Sequence, residues 1–495
     1  MRRKVIGVSK HLGLAVFYGS LGTVVAALAL GVFWLNSKPD LALWHTTVLK
    51  QEYRADNGDA TFSDYLQREE RLFSELEQRV YHRTDGLPLE PFNRYFHNSL
   101  SDPALWPRNW NRSFEWPNPD AEFGVLLIHG MSDSPYYMAP LARHFADRAH
   151  VVGLRLPGHG TVPSMLTTLE WQDLQSATRL ASDYLAQQVG NKPLLLVGFS
   201  TGAALGLNHT LSRLAEGQAP QFDAMVFLSP AMGLAPIAQG AWWQNRFGQW
   251  LGLEKLAWES LALEYHPFKY GSFAVNAGDV VYQLIQANQA LIGALSPEQI
   301  ATMPPVLTFN SVIDETVDTQ ALFESLYLTL GKPEDELVLF DINRTWLDYR
   351  LLTQDPIEDY TLFLDASQTR FRTTIVENIG PGQPEVQARE IQSGEAMPLG
   401  IAWPREVHSL SHVALTIPEA DPLLGPHRDR ERRHIHLGGQ AVRGERGMLA
   451  IPSDELLRQK WNPFYPYLIE RMDEWANKVV THDSPEKSFT EMPEK

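Results

Sequence analysis

Short, continuous apolar runs separated by helix-length segments constrain this chain more than any other feature. From residue 121 onward they are VLLIH (125–129), HVVGLRL (150–156), LLLVGF (194–199), AMVFLS (224–229), PVLTFN (305–310) and ELVLFD (336–341), most of them bounded by Gly, Pro, Asn or Asp. A strand with one solvated face alternates apolar and polar residues; one covered on both faces does not. Such runs with helical lengths between them predict an α/β fold, a mostly parallel sheet flanked by helices. A chain of 495 residues, 44% of them hydrophobic, is long and apolar enough for one large α/β domain with insertions.

The spacing of the runs divides the chain. The core is expected in three parts, 121–230, 301–342 and 405–480. Between the fourth and fifth strands lies an excursion, 231–300, dense in Trp, Tyr, Leu and Gln. A sheet connection needs far fewer residues, and this one reads as a helical cap over the mouth of the sheet. A second insertion, 343–404, follows the sixth strand. Residues 36–120 precede the core and are expected to dock on it. Within them TFSDYLQREERLFSELEQRVY (61–81) places Phe62, Tyr65, Leu66, Leu72, Phe73, Leu76 and Val80 on a helical period. The stretch 86–120, rich in Pro, Asn and Trp, reads as loops held by their aromatics. The tail 481–495 is polar and reads as disordered.

The N-terminus carries a different signal. Residues 1–11 hold Arg2, Arg3, Lys4 and Lys10, and residues 12–35 then run without a charge, long enough to cross a bilayer. Cations ahead of the span leave the N-terminus in the cytoplasm and the remainder outside. The competing reading is a cleaved signal peptide ending near Ala27-Leu28-Ala29; the apolar stretch continues past that point through Val32, Phe33 and Leu35, which favours a retained anchor. Lys and Arg number 42 against 59 acids, a formal charge of -17, which argues against nucleic acid as a partner. There is no cysteine, so disulfides, thiolate nucleophiles and Cys-ligated zinc are excluded.

In open parallel sheets, catalytic groups gather at the carboxyl ends of the strands. The third run ends in G-F-S-T-G, with Ser200 between Gly198 and Gly202, the pattern of a nucleophile elbow. The fifth ends in NSVIDETV (310–317), which puts Asp314 just past it, ahead of Glu315 and Asp318. After the sixth run and its insertion comes HSLSHVALTIP (408–418), with His412 preferred to His408. Serine needs a base to take its proton, histidine titrates near neutrality, and a carboxylate fixes the imidazole tautomer. The order Ser200, Asp314, His412 is therefore read as a catalytic triad. The backbone N–H groups of Thr201 and of Met131, which follows His129-Gly130, are the candidate oxyanion donors. His129 and His159 are read as structural. The cluster HRDRERRHIH (427–436) reads as a solvated charged loop, and no metal or cofactor is expected.

Four motifs, VLLIHGMSDSPYYMAPL (125–141), LRLPGHGT (154–161), GFSTG (198–202) and SHVAL (411–415), together resemble the α/β-hydrolase superfamily. The likeness is to its serine-hydrolase branch of monoacylglycerol lipases, carboxylesterases and serine aminopeptidases, and more narrowly to bacterial membrane-anchored members. It spans roughly 90–345 and 405–475. The resemblance implies an α/β-hydrolase fold and the triad and oxyanion groups just named, and the aromatic excursion adds the expectation of a small-molecule ester substrate with an apolar acyl group. With the N-terminal span and its flanking cations, the expectation is a single-pass bacterial inner-membrane protein with a periplasmic catalytic domain. The cap aromatics Trp242, Trp243, Trp250, Trp258, Tyr265, Phe268 and Tyr270 are expected either to shape an acyl pocket or to pack the cap. An aminopeptidase is the alternative within the enzymes, with Glu254, Glu259 and Glu264 available to hold an amino group. A catalytically silent envelope scaffold is the alternative outside them.

Overall fold

The computed structural model describes residues 17–23, 25–26, 31, 33, 37–233, 254–345, 355–361, 363–365, 369–405, 407–429, 431–438 and 458–481. Among the described residues, ten strands form one sheet in the order β1-β3-β2-β4-β5-β8-β9-β10-β11-β12. The six apolar runs become β2 (Phe123–Ile128), β3 (Ala149–Leu154), β4 (Leu194–Phe199), β5 (Ala224–Leu228), β8 (Val306–Ser311) and β9 (Glu336–Phe340). Each is buried along its whole length and pairs in parallel with its neighbours in this group, as their unbroken apolarity requires. Alternate residues feed opposite cores: Leu126 and Ile128 enter one, Val125 and Leu127 the other. The first core is closed by α3 (Trp171–Val189), α4 (Thr201–Ala215) and α5 (Val275–Ala294). The second is closed by α2 (Ala139–Phe145) and α6 (Tyr465–Thr481).

The insertion after β9 extends the sheet. Strand β10 (Arg372–Asn378) adds in parallel to β9, and β11 (Glu385–Glu390) and β12 (Ala396–Ala402) follow as antiparallel strands to the edge. The chain then returns to the end of β9, where Asn343 donates its N–H to the carbonyl of His408 at 2.7 Å and its side-chain amide to that of Val407 at 2.8 Å. Three strands are thus looped out and back, and the segment bearing His412 starts where a direct connection from β9 would have placed it. At the opposite edge, β1 (Phe114–Trp116) pairs antiparallel with β3.

The first excursion departs from the expected helical cap. Of residues 254–274 only Glu254–Ala257 is helical, followed by a two-stranded ribbon of β6 (Trp258–Ser260) and β7 (Phe273–Ala274). Helix α5, the second half of the excursion, packs on α4 and belongs to the flank of the sheet. Residues 234–253, with Trp242, Trp243 and Trp250, lie outside the described residues.

Within residues 37–120, the amphipathic stretch forms a helix that packs on the sheet's first core. Helix α1 (Phe62–Leu76) begins at Thr61, whose hydroxyl accepts from the N–H of Asp64 while the Asp64 carboxylate accepts from that of Thr61. Its buried face includes Phe62, Tyr65 and Leu72, and also Glu69, which the periodicity did not flag. Glu69 and Glu52 both pair with Arg155, at 2.8 and 3.0 Å, and all three side chains are almost wholly buried. The expected transmembrane helix is not found among the described residues, none of whose helices is long and apolar enough to cross a membrane. Residues 1–16 and several others of that stretch lie outside the described residues, as does the tail beyond Thr481.

Candidate active site

Strand β4 ends in a corner built by its two glycines. A Cβ on Gly198 would fall 2.5 Å from the backbone of Ala203, and one on Gly202 would fall 2.2 Å from the carbonyl oxygen of Ile128. Only hydrogen at both positions lets strand and helix cross this closely. Between them Ser200 adopts φ 53°, ψ −116°, a conformation that costs a non-glycine residue about 1–3 kcal/mol. Its N–H donates to the carbonyl of Leu228 at 2.9 Å and its carbonyl accepts from Ala203, Ala204 and Ala231. The corner is held from both sides, and Ser200 sits at the head of α4, 8% exposed.

Asp314 and His412, separated by 98 positions, meet at 2.8 Å between the carboxylate Oδ2 and the ring Nδ1. The other carboxylate oxygen accepts the N–H groups of Thr316, at 2.8 Å, and Val317, at 3.2 Å. The Asp314 side chain is fully buried and that of His412 is 5% exposed. Burial pushes the carboxyl upward, but the His412 ring and the two N–H donors outweigh it and hold Asp314 below the usual aspartate value. The rival carboxylates are placed otherwise. Asp318 caps the short helix Thr319–Leu322 through the N–H groups of Gln320 and Ala321, and Glu315 is exposed at the cavity wall. His408 also lines that cavity, without the carboxylate contact made by His412. The Phe199 ring lies 5.0 Å from that of His412, so the residue beside Ser200 packs on the imidazole.

The turn after β2 closes on the same corner. A Cβ on Gly130 would stand 3.1 Å from the Cβ of Ser200 and 2.8 Å from Oδ2 of Asp133. Among the described residues, neither the N–H of Met131 nor that of Thr201 is taken by an acceptor. The turn is rigid for reasons in its own sequence. His129 accepts the N–H of Leu156 at Nε2, 3.1 Å away, so its proton sits on Nδ1 and is donated to the Gly130 carbonyl at 2.8 Å. Burial holds the His129 ring well below the usual histidine range, and burial takes His159 down to about 4, so both act as neutral struts. Asp133, almost fully buried, pairs with Lys269, and the Ser132 carbonyl accepts the N–H of Tyr270 at 3.0 Å. These two contacts, which the sequence did not reveal, staple the 254–274 excursion to the turn.

A cavity of about 1100 Å³ opens beside His412, lined by Tyr137, Tyr265, His266, Phe273 and Leu437 among others. Of the excursion's described aromatics, Tyr265 faces this space, whereas Trp258 packs edge-on against His45 and Phe268 stacks on Tyr136. Tyr270 also lines the cavity, and its buried hydroxyl accepts from the N–H of Thr161 and donates to the Gly158 carbonyl. Glu264, a candidate amine-binding carboxylate, is buried and spent on the N–H groups of Gly271 and Ser272. The 427–436 cluster is not uniformly solvated: His434 is buried against Trp106 at 4.2 Å and His436 contacts the Gly425 carbonyl through Nε2, while His427 is exposed. No group of residues suited to a metal ion occurs among the described residues.

Residues 125–328 match the alpha/beta hydrolase family. A stretch of 118 residues is 31% identical to the thermostable monoacylglycerol lipase of Bacillus sp. (strain H-257), covering 24% of this chain and 44% of that enzyme, so the chain spans less than half of this relative's length. Among solved structures, the chain is similar to a metagenome-derived lipolytic enzyme described with LipS and LipT, at 19% identity and TM-score 0.36 over 47% of this chain and 88% of the other. It is also similar to a soluble variant of the monoglyceride lipase of Saccharomyces cerevisiae, at 15% identity and TM-score 0.33 over 46% and 80%.

Proposed function

We propose that this chain, whose residues 125–328 match the alpha/beta hydrolase family, is a serine hydrolase that cleaves carboxylic esters through an acyl-enzyme. The observation that carries the reading is the 2.8 Å contact of His412 Nδ1 with Asp314, close to a strained Ser200 corner. A carboxylate at Nδ1 holds the proton there and leaves Nε2 as the base. In the first half-reaction Ser200 Oγ bonds to the ester carbonyl carbon as its proton passes to His412 Nε2. The N–H groups of Met131 and Thr201 take the oxyanion, and the C–O bond to the alcohol breaks as His412 returns the proton to it. Water then repeats the sequence on the acyl-serine and frees the acid.

Of the candidate amine-binding carboxylates, Glu264 is spent on the N–H groups of Gly271 and Ser272, whereas Glu259 is exposed at the cavity wall, so the choice between esters and aminoacyl substrates is made by experiment. Turnover of p-nitrophenyl esters of graded chain length, compared with aminoacyl-anilides, tests the class; faster cleavage of the anilides would refute it. We further propose that residues 12–35 anchor the chain in a bacterial inner membrane with the catalytic domain on the periplasmic side, on the strength of the uncharged run behind four cations. Recovery of the protein in a carbonate-washed membrane fraction, with the domain open to protease only from the periplasm, is expected; release into the soluble fraction would overturn it.

A further inference from the structure

Tyr137 is the second tyrosine of HGMSDSPYY, nearly fully buried yet part of the cavity wall, and so is His266 of the facing excursion. The hydrogen bonding between them has one direction. Phe268 donates its N–H to His266 Nδ1 at 3.0 Å, which leaves the proton of a neutral ring on Nε2, and that atom lies 3.3 Å from the Tyr137 hydroxyl oxygen. Burial keeps His266 well below the ordinary histidine range and Tyr137 well above the ordinary tyrosine range, so the ring is uncharged and the phenol protonated. The Tyr137 oxygen therefore accepts from His266, and its own hydrogen has no acceptor among the described residues. A donor this buried, oriented by a second side chain and left unspent, is what a site built to recognise an oxygen presents.

Its position says which part of the substrate it meets. The Tyr137 ring stacks on Phe199 at 6.4 Å and 11°, and Phe199 in turn lies against His412. Lys269, fixed by Asp133, sits 5.6 Å from the centre of the Tyr137 ring. Tyr137 is thus one ring removed from the imidazole that protonates the departing alcohol. Resting on the ester-hydrolase reading above, we propose that Tyr137, oriented by His266, donates a hydrogen bond to an oxygen on the alcohol part of the substrate and selects esters of hydroxylated alcohols over simple alkyl esters.

The test uses the full chain and two esters of one acyl group, 1-octanoylglycerol and propyl octanoate, whose alcohols differ only in two hydroxyls. The wild type is expected to favour the glyceryl ester in kcat/KM. Tyr137→Phe should lower that preference about five- to tenfold, the equivalent of one neutral hydrogen bond, chiefly through KM for the glyceryl ester. His266→Leu, which removes the orienting donor, should lower it in the same direction, and His266→Gln, whose amide can still donate to the phenol oxygen, should restore most of it. Each variant is checked by thermal unfolding, and if Tyr137→Phe does not fold, the contrast between His266→Leu and His266→Gln decides. A wild type without the preference, or variants that change it less than twofold, would overturn the assignment while leaving the hydrolase intact. A wild type that cleaves neither ester would overturn the hydrolase reading and this assignment with it.

Discussion

Replacing Asp314 by asparagine changes one atom, and the geometry dictates which way the amide must lie. Oδ1 accepts the N–H groups of Thr316 and Val317. Turning an NH₂ group toward them would leave two donors facing two donors, at about 1–3 kcal/mol for each unsatisfied group. The amide oxygen must therefore stay on that side, and the NH₂ must face His412. His412 Nδ1 then becomes an acceptor, its proton moves to Nε2, and the ring can no longer take a proton from Ser200. The loss falls on kcat rather than on binding: about 10³–10⁴-fold, or roughly 4–5.5 kcal/mol of barrier. Steady-state hydrolysis of a p-nitrophenyl ester at pH 7.5 measures this, with thermal unfolding alongside to show that the fold survives. Asp314→Asn with kcat within tenfold of wild type, or an equal loss in Asp318→Asn, would refute the reasoning.

Other consequences follow from the same contacts. Gly202→Ala drives a methyl group into the Ile128 and His129 carbonyls; it should cost about 1–3 kcal/mol of stability and lower kcat at least a hundredfold by displacing the oxyanion turn, whereas Gly278→Ala, in open space within α5, should raise Tm slightly. Arg155→Met leaves Glu52 and Glu69 buried without their cation and should destabilise by about 3–5 kcal/mol in urea titration; a change under 1 kcal/mol would mean the triad does not hold residues 37–120 in place. His159, held at about 4 when folded, takes up a proton on unfolding at any pH between that value and its unfolded value near 6.5. The unfolded state binds the extra proton, so stability falls with falling pH across that window, by about 3 kcal/mol for this residue. Calorimetric proton uptake at pH 5 should drop by about one in His159→Phe.

What the sequence made legible follows from burial on two sides. LLLVGF is uniformly apolar because no residue of β4 meets water, and its ends agree with the strand it forms. The elbow was readable because its glycines answer to backbone clashes that no other residue escapes. The choice of His412 over His408, by contrast, depends on how 63 or so residues of inserted chain return to Asn343, a contact with no local signature. Strand β1 is three residues long within a Pro- and Trp-rich segment, β11 mixes polar and apolar residues, and β12 is apolar but broken by Pro398 and Gly400 and largely exposed, so none of the three gave a buried-strand pattern. Glu69 sits on the apolar face of α1 because its partner Arg155 arrives from 86 positions away. The excursion at 231–300 was dense enough in aromatics to read as one cap, but α5 spends its apolar residues on α4 instead.

The central claim is that Ser200 is the group acylated. Incubating the pure protein with a fluorophosphonate and mapping the adduct by peptide mass spectrometry tests it directly. One adduct per chain on the peptide carrying Ser200, absent in Ser200→Ala and slowed more than a hundredfold in His412→Ala, is the expected result. An unlabelled wild type, or an adduct that persists in Ser200→Ala, would contradict it.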